Sequence, residues 1–331
     1  MKYQDFNSEI IDKWCENDWE WGKIISHEKY VDALNGKWDV VLTPTKNVPH
    51  EWFGDLKGKR ILGLASGGGQ QIPIFSALGA QCAVLDYSSK QCESERIVAK
   101  REGYDVNVIQ GDMTQRFPFE DGTFDLIFHP VSNCYVEEVK PIFKECYRVL
   151  KKGGILLCGL CYDFPYIFDE SETKMKYKLP FNPLKDPVAY DDSIKNDWGI
   201  SFSHSIEEQI GGQLEAGFIL TNIYDDTSGT GVLHEYNVAT FFAIRAVKQI
   251  PICLTDCICR IDDDEYAVSP LKSKRPVEFP ADSAVQQRTQ KSSKRVCKEA
   301  RLSKTNQAMI HTALHNWGAA FYYHLYNPEV I

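Results

Sequence analysis

The stretch RILGLASGGGQQIPIFSAL, residues 60–78, decides how the rest of the chain is read. Its first five residues, RILGL, form a short apolar run of the kind that makes a buried strand. QQIPIFSAL (70–78) reads as a helix, with Pro73 tolerable in its first turn. A glycine-rich turn between strand and helix holds nucleotide-like ligands. A dinucleotide fingerprint needs G-x-G-x-x-G, but counting from Gly67 gives Gly69 and then Ile72. A phosphate loop needs G-K-[ST], and no lysine follows. What remains is Ala65-x-Gly67-x-Gly69, a backbone that a ligand can approach closely, or simply a tight turn.

Outward from this turn, short apolar runs alternate with amphipathic segments. QCAVLDY (81–87) reads as a second strand ending in Asp86. Ser88 or Ser89 caps a helix to about Glu102, with Glu93 inside it. DVNVIQGDM (105–113) is a third strand and FDLIFH (124–129) a fourth. Val136, Val139, Ile142, Phe143, Cys146, Val149 and Leu150 recur at helical spacing, and KKGG (151–154) ends that helix. ILLCGL (155–160) is a fifth strand. Strands separated by single helices imply a parallel sheet with right-handed crossovers. SIEEQIGGQLEAGF (205–218) reads as a helix. Residues 219–226 and 236–247 read as two strands with no helix between them, an antiparallel hairpin. Residues 162–203 lack a clear period and read as an insertion over one sheet edge. Asp86, 19 residues after Gly67, can accept hydrogen bonds from two ribose hydroxyls, and Asp112 is a second acid at a strand end.

In order and spacing, ILGLASGGGQ, VLDYS, GDM, FDLIFHPVSNCYV and RVLKKGGILL resemble the motifs of the class I S-adenosylmethionine-dependent methyltransferases, type 11 group. The resemblance spans about residues 38–247. It implies a doubly wound, mostly parallel seven-stranded α/β sheet of Rossmann-like form, ending in an antiparallel hairpin. It also implies S-adenosyl-L-methionine as cofactor. The residues that match the family's cofactor contacts are Ala65, Ser66, Gly67, Gly69, Gln70, Asp86, Tyr87, Asp112, Met113, His129 and Asn133. The family usually carries Asp where Gly63 stands and Gly where Ala65 stands. Its N-terminal segment folds over cofactor and substrate, so some of Trp14, Trp19, Trp21, Trp38 and Trp52 are expected at the pocket.

Methyl transfer is an in-line displacement, so alignment in a dry pocket matters most. Where the acceptor must lose a proton, His129, His204 and Tyr135 are the candidate bases, and His129 and Tyr135 are taken as the catalytic pair. His129 and Asn133 are expected to face cofactor or acceptor. HPVSNC stands where an N-P-P-Y or D-P-P-Y motif would mark amino-methylation of a nucleic-acid base. The reading is a methyltransferase acting on a small-molecule acceptor. Two rivals are a non-catalytic module binding the cofactor or S-adenosylhomocysteine, and a nucleic-acid methyltransferase using the basic stretch 271–304. That stretch holds ten Lys/Arg against three acids, more simply a solvated tail.

The chain has 331 residues, 43% hydrophobic and 25% charged, with net charge −9, which disfavours a general nucleic-acid binder. No apolar run reaches the roughly 20 residues that span a bilayer, and the acidic, aromatic start is unlike a signal peptide, so a cytoplasmic protein is expected. Of eleven cysteines, only Cys253, Cys257 and Cys259 cluster, in no common zinc pattern, and no metal is expected. Residues 249–331 carry 11 Lys+Arg against 9 Asp+Glu, unlike the acidic remainder. The expected division is therefore an N-terminal helical cap (1–55), a methyltransferase domain (56–248, insertion 162–203) and a C-terminal extension of unknown role (249–331).

Overall fold

The computed structural model describes residues 2–249. The cysteine cluster, the basic stretch and nearly all of the expected extension lie outside them. Seven strands form one sheet: β1 (Arg60–Leu64), β2 (Gln81–Asp86), β3 (Val106–Gln110), β4 (Phe124–His129), β5 (Leu150–Cys161), β6 (Phe218–Asp226) and β7 (Phe241–Lys248). Their order is β3-β2-β1-β4-β5-β7-β6. The first five are parallel, and β7 runs antiparallel between β5 and β6.

Both sheet faces are covered, which is why the central strands read as continuous apolar runs. Side chains alternate along β1, so Leu62 and Leu64 join one core cluster and Ile61 the other. The first cluster packs under α5 (Lys140–Val149) through Ile142, Phe143, Cys146 and Val149. The second packs under α3 (Gln71–Ala77), where Phe75 meets Phe128 edge-on at 5.2 Å. The chain winds from β1 toward β3 on one side and crosses to β4 on the other. The loops leaving the carboxyl ends of β1 and β4 therefore run to opposite faces of the sheet, and a doubly wound sheet binds its ligand in the crevice between them. Above that crevice lie α1 (Tyr3–Glu16) and the segment 162–203, which carries helix α6 (Pro187–Lys195), while α2 (His27–Leu34) packs against α3 through Tyr30 and Ala33.

The structure departs from the sequence expectations in four places. KKGG is part of β5: Leu150 turns extended straight after α5 and pairs with Phe124, and a bulge between Phe124 and Leu126 absorbs the extra residues. Gly153, at φ +75°, supplies the turn of the backbone there. Residue Val136 precedes α5, after a short 3-10 turn, Asn133–Tyr135. A short helix, α8 (Gly231–Glu235), separates β6 from β7. The helix expected over 205–218 contains a five-residue π turn, Glu207–Gly211, before α7 (Gly212–Ala216). The remaining helix, α4 (Ser89–Glu102), is capped as expected, the Ser88 hydroxyl accepting from the Gln91 amide at 3.0 Å.

Gly159 on β5 carries the contact that closes one side of the crevice. A Cβ built there would collide with the Leu42 carbonyl oxygen, and that same oxygen accepts a hydrogen bond from Val131 N at 3.1 Å. The 41–46 loop can lie on the sheet only because residue 159 has no side chain. Its other end is held by Asp226, whose carboxylate accepts from the Thr45 and Lys46 amides at 2.8 and 3.1 Å. Gly159→Ala is expected to lift this loop and lower stability by about 1–3 kcal/mol. Chemical denaturation checks the loss, and the same substitution at Gly211, where an added Cβ meets only the Glu207 side chain at 3.7 Å, is the control.

Candidate active site

The crevice is a cavity of about 480 Å³ at the carboxyl ends of the strands. Ala65, Ser66, Gly67 and Gln70 line it from the glycine turn. Asp86, Tyr87, Asp112 and Met113 line it from the ends of β2 and β3. Tyr135 lines it from beyond β4. Gly69, His129 and Asn133 do not.

The glycine turn spends its own amides on the protein. Gly67 N donates to Asp86 Oδ2 at 3.0 Å, Gly68 N to the Gln91 carbonyl at 3.0 Å, and Gly69 N to Glu95 Oε1 at 2.8 Å. The donors that would cradle a phosphate are occupied, two of them by carboxyl groups. The turn is built for a ligand without phosphate at this point. Gly68 and Gly69 adopt φ of +97° and +68°. A Cβ at Gly69 would stand 2.8 Å from Val98 Cγ2, so α4 packs directly on the turn. Gly63 faces Ile72, whose Cδ1 would lie 2.7 Å from any Cβ there, and this leaves no room for the acid common at this position.

Ala65 sits at φ +44°, in the left-handed region where glycine is at ease. The backbone shape of the motif is thus retained without its usual glycine. Ala65→Gly is expected to leave cofactor affinity unchanged and to raise stability by up to about 1 kcal/mol, measured by thermal unfolding.

Asp86 is half-buried, and its Oδ1 accepts from Ser88 N at 2.9 Å. Burial raises its pKa to about 6, against the lowering effect of the Ser88 and Gly67 amides. Below the turn, Glu95 is fully buried and its Oε2 has no partner. Burial lifts its pKa to about 8. Sequence reading passed over Glu95. The available signal was its place on the buried face of α4 with Gln91, Cys92, Val98 and Ala99.

His129 and Asn133 correct the expectation that they face the ligand. His129 is fully buried, with Nδ1 at 2.8 Å from the Leu64 carbonyl and Nε2 at 2.8 Å from Asn133 Oδ1. Both ring nitrogens are engaged, and burial lowers its pKa. The pair ties β4 to β1 beneath the crevice. His204 is also buried, its Nε2 lying between the Asn133 and Val136 carbonyls, and its pKa is likewise lowered by burial. Tyr135 does reach the cavity, but burial raises its hydroxyl well above the ordinary value, so it holds its proton.

Helix α1 roofs the cavity with Gln4, Asn7, Ser8 and Ile11. Asn7 exchanges hydrogen bonds with the Ile200 backbone, at 2.8 Å to its carbonyl and 2.7 Å from its amide. Asp12 accepts from Ser88 and Ser89 hydroxyls and from Lys90 N, which docks α1 on the start of α4. Trp19 and Trp21 line the cavity, and Trp14 packs on Tyr135 at 6.2 Å. Trp52 is core, with Trp38 packed against the same cluster.

Residues 62–158 match the family described as "Methyltransferase domain". The chain is similar to the uncharacterized methyltransferase YbaJ of Bacillus subtilis (strain 168), 41% identical over 249 residues, 73% of this chain and 97% of that one. It is also similar to the ubiquinone/menaquinone biosynthesis C-methyltransferase UbiE of Haemophilus ducreyi, 27% identical, covering 55% of this chain and 72% of that one. Among solved structures, an S-adenosylmethionine dependent methyltransferase from Mesorhizobium loti aligns with a TM-score of 0.48 and 15% identity, over 60% of this chain and 94% of that one. With a relative this similar along nearly its whole length, and with the sheet order and crevice described above, the chain belongs to the class I S-adenosylmethionine-dependent methyltransferases.

Proposed function

We propose that the protein methylates a small-molecule acceptor, bound in the part of the 480 Å³ cavity that lies beyond the cofactor residues. The observation that carries this reading is the roof. Helix α1 and the 162–203 segment, joined through Asn7 and Ile200, cover a space suited to a small molecule and not to a duplex or a protein surface.

S-adenosylmethionine supplies a methyl group on a sulfonium centre. Asp86 is placed to accept hydrogen bonds from a ribose diol while its other contacts to Gly67 and Ser88 hold it still. Asp112, at the end of β3 with Oδ1 on Thr114 N at 2.8 Å, borders the same half. Asp86 and Asp112 are the only charged side chains lining the cavity among the described residues, and both favour a cationic ligand. Aromatic and aliphatic walls exclude water, and the fixed backbone aligns the reactants. His129, His204 and Tyr135 are in no position or protonation state to act as base. The N-terminal cap, the insertion and an extension beyond residue 248 are retained as a proposed division of the chain.

Incubation with methyl-labelled cofactor and cell-derived fractions tests the reading. Label is expected in the small-molecule fraction. Label confined to RNA or protein would overturn it, and binding of S-adenosylhomocysteine without turnover in any fraction would favour the non-catalytic module. Among the described residues no helix is long and apolar enough to cross a membrane.

A further inference from the structure

The cavity has two unlike halves. Over β1, β2 and β3 it is bordered by Asp86 and Asp112. Over β4, β5 and β7 it is bordered by Cys134, Tyr135, Cys161 and Phe241, and by Tyr166 and Trp198 from the 162–203 segment. In this second half, among the described lining residues, only Cys134, Tyr135, Cys161 and Tyr166 can ionise.

These four groups neighbour one another. The Cys134 thiol beside Cys161, together with burial, raises Cys161 well above the ordinary thiol range. Burial, with the two thiols alongside, does the same to the Tyr135 and Tyr166 hydroxyls. Cys161, Tyr135 and Tyr166 therefore keep their protons at neutral pH. The second half therefore offers neutral O–H and S–H groups and aromatic faces. Among the described residues it contains no cation to balance an anion and no carboxylate or free imidazole to take a proton. An anionic acceptor would lose its hydration and meet only the two aspartates nearby, an arrangement that strongly disfavours it.

Resting on the methyltransferase reading of this cavity, we infer that the acceptor is an uncharged, largely aromatic molecule whose methyl-accepting atom is a neutral nitrogen or sulfur lone pair. Such an atom attacks without first losing a proton. Its lone pair forms the new bond to the methyl carbon as the carbon–sulfur bond breaks, and that bond's electrons return to the cofactor sulfur. The positive charge passes from the cofactor to the acceptor, as an ammonium or sulfonium ion. A nitrogen bearing hydrogen then sheds its proton to solvent. The rings of Tyr135, Tyr166, Trp198 and Phe241 suit a cation formed in this half, through their electron-rich faces.

The test uses the full chain saturated with S-adenosylhomocysteine and two probes of similar size, isoquinoline (uncharged at pH 7.5) and 1-naphthoate (an anion). Calorimetry is expected to show isoquinoline binding at least about tenfold tighter than naphthoate, the preference of an apolar site without a counter-charge. Tyr166→Arg places a cation in the wall and is expected to narrow or reverse the preference. Where that variant no longer binds S-adenosylhomocysteine, Ser201→Arg, on the same wall, takes its place. Naphthoate binding as well as isoquinoline, or neither probe binding, overturns the inference. Failure of the wild-type chain to bind S-adenosylhomocysteine would instead sink the methyltransferase reading itself, so the two failures are distinguishable.

Discussion

Asp86→Ala is expected to weaken S-adenosylhomocysteine binding about 10- to 150-fold, or about 1.5–3 kcal/mol, the usual worth of hydrogen bonds to a charged acceptor. The carboxylate is prepared for this role: Gly67 N and Ser88 N hold its two oxygens at 3.0 and 2.9 Å. Its raised pKa, about 6 in the ligand-free protein, adds a pH signature. The charged form is the better acceptor, so binding is strongest above pH 6 and weakens as the carboxyl takes up its proton. The decline approaches tenfold per unit on the acid side. Asp86→Asn keeps the shape and removes the titration, so its affinity should be lower and flat over the same range. Calorimetry from pH 5 to pH 8 distinguishes the variants. An unchanged affinity in Asp86→Ala would remove Asp86 from the cofactor site.

Glu95→Gln is expected to stabilise the protein, and more so as pH rises. Glu95 binds its proton more tightly folded than unfolded, since burial lifts its pKa from the ordinary 4.5 to about 8. The folded state therefore holds more protons between those values, and stability falls as pH rises through them. The slope is at most about 1.4 kcal/mol per unit, so the full interval amounts to roughly 5 kcal/mol. Gln mimics the protonated acid: its Oε1 still accepts from Gly69 N, as Glu95 Oε1 does at 2.8 Å. His129 and His204, lowered by burial, contribute with the opposite sign below their ordinary 6.5. The quantity to follow is thus the difference between wild type and variant, from denaturant unfolding at pH 5 and pH 8. Equal stabilities at both would show that the buried acid is not titrating as described.

The sheet was readable because its strands are apolar runs bounded by polar turns, and a period of two or of 3.6 is a local property. Asp86 and the glycine turn were readable for the same reason: one short segment sets their position. His129 was not. At a strand end, the face a side chain takes depends on the pleat and on its neighbours, here the Leu64 carbonyl of β1, sixty-five residues away. KKGG failed because a bulge uses the same glycines as a helix stop. Cys161, Tyr166 and Trp198 meet in space through the fold of a segment without period, so no pattern announces them. Glu95 was hidden by the habit of assigning acids to solvent.

The place of β7 has a consequence for how the chain comes off the ribosome. β5 ends at Cys161, yet the partner for its outer edge, Phe241–Lys248, is synthesised some eighty residues later, and β6 attaches only through it. At about 5–20 residues per second, the apolar edge from Ile155 to Cys161 waits several seconds without hydrogen-bond partners. An unpaired edge of that composition is a template for pairing with other nascent chains. Folding of the sheet is completed by its most distant contact, a topology that slows the final step. Chains stalled or cleaved before residue 241 would therefore aggregate, although they already carry the glycine turn, Asp86 and Asp112.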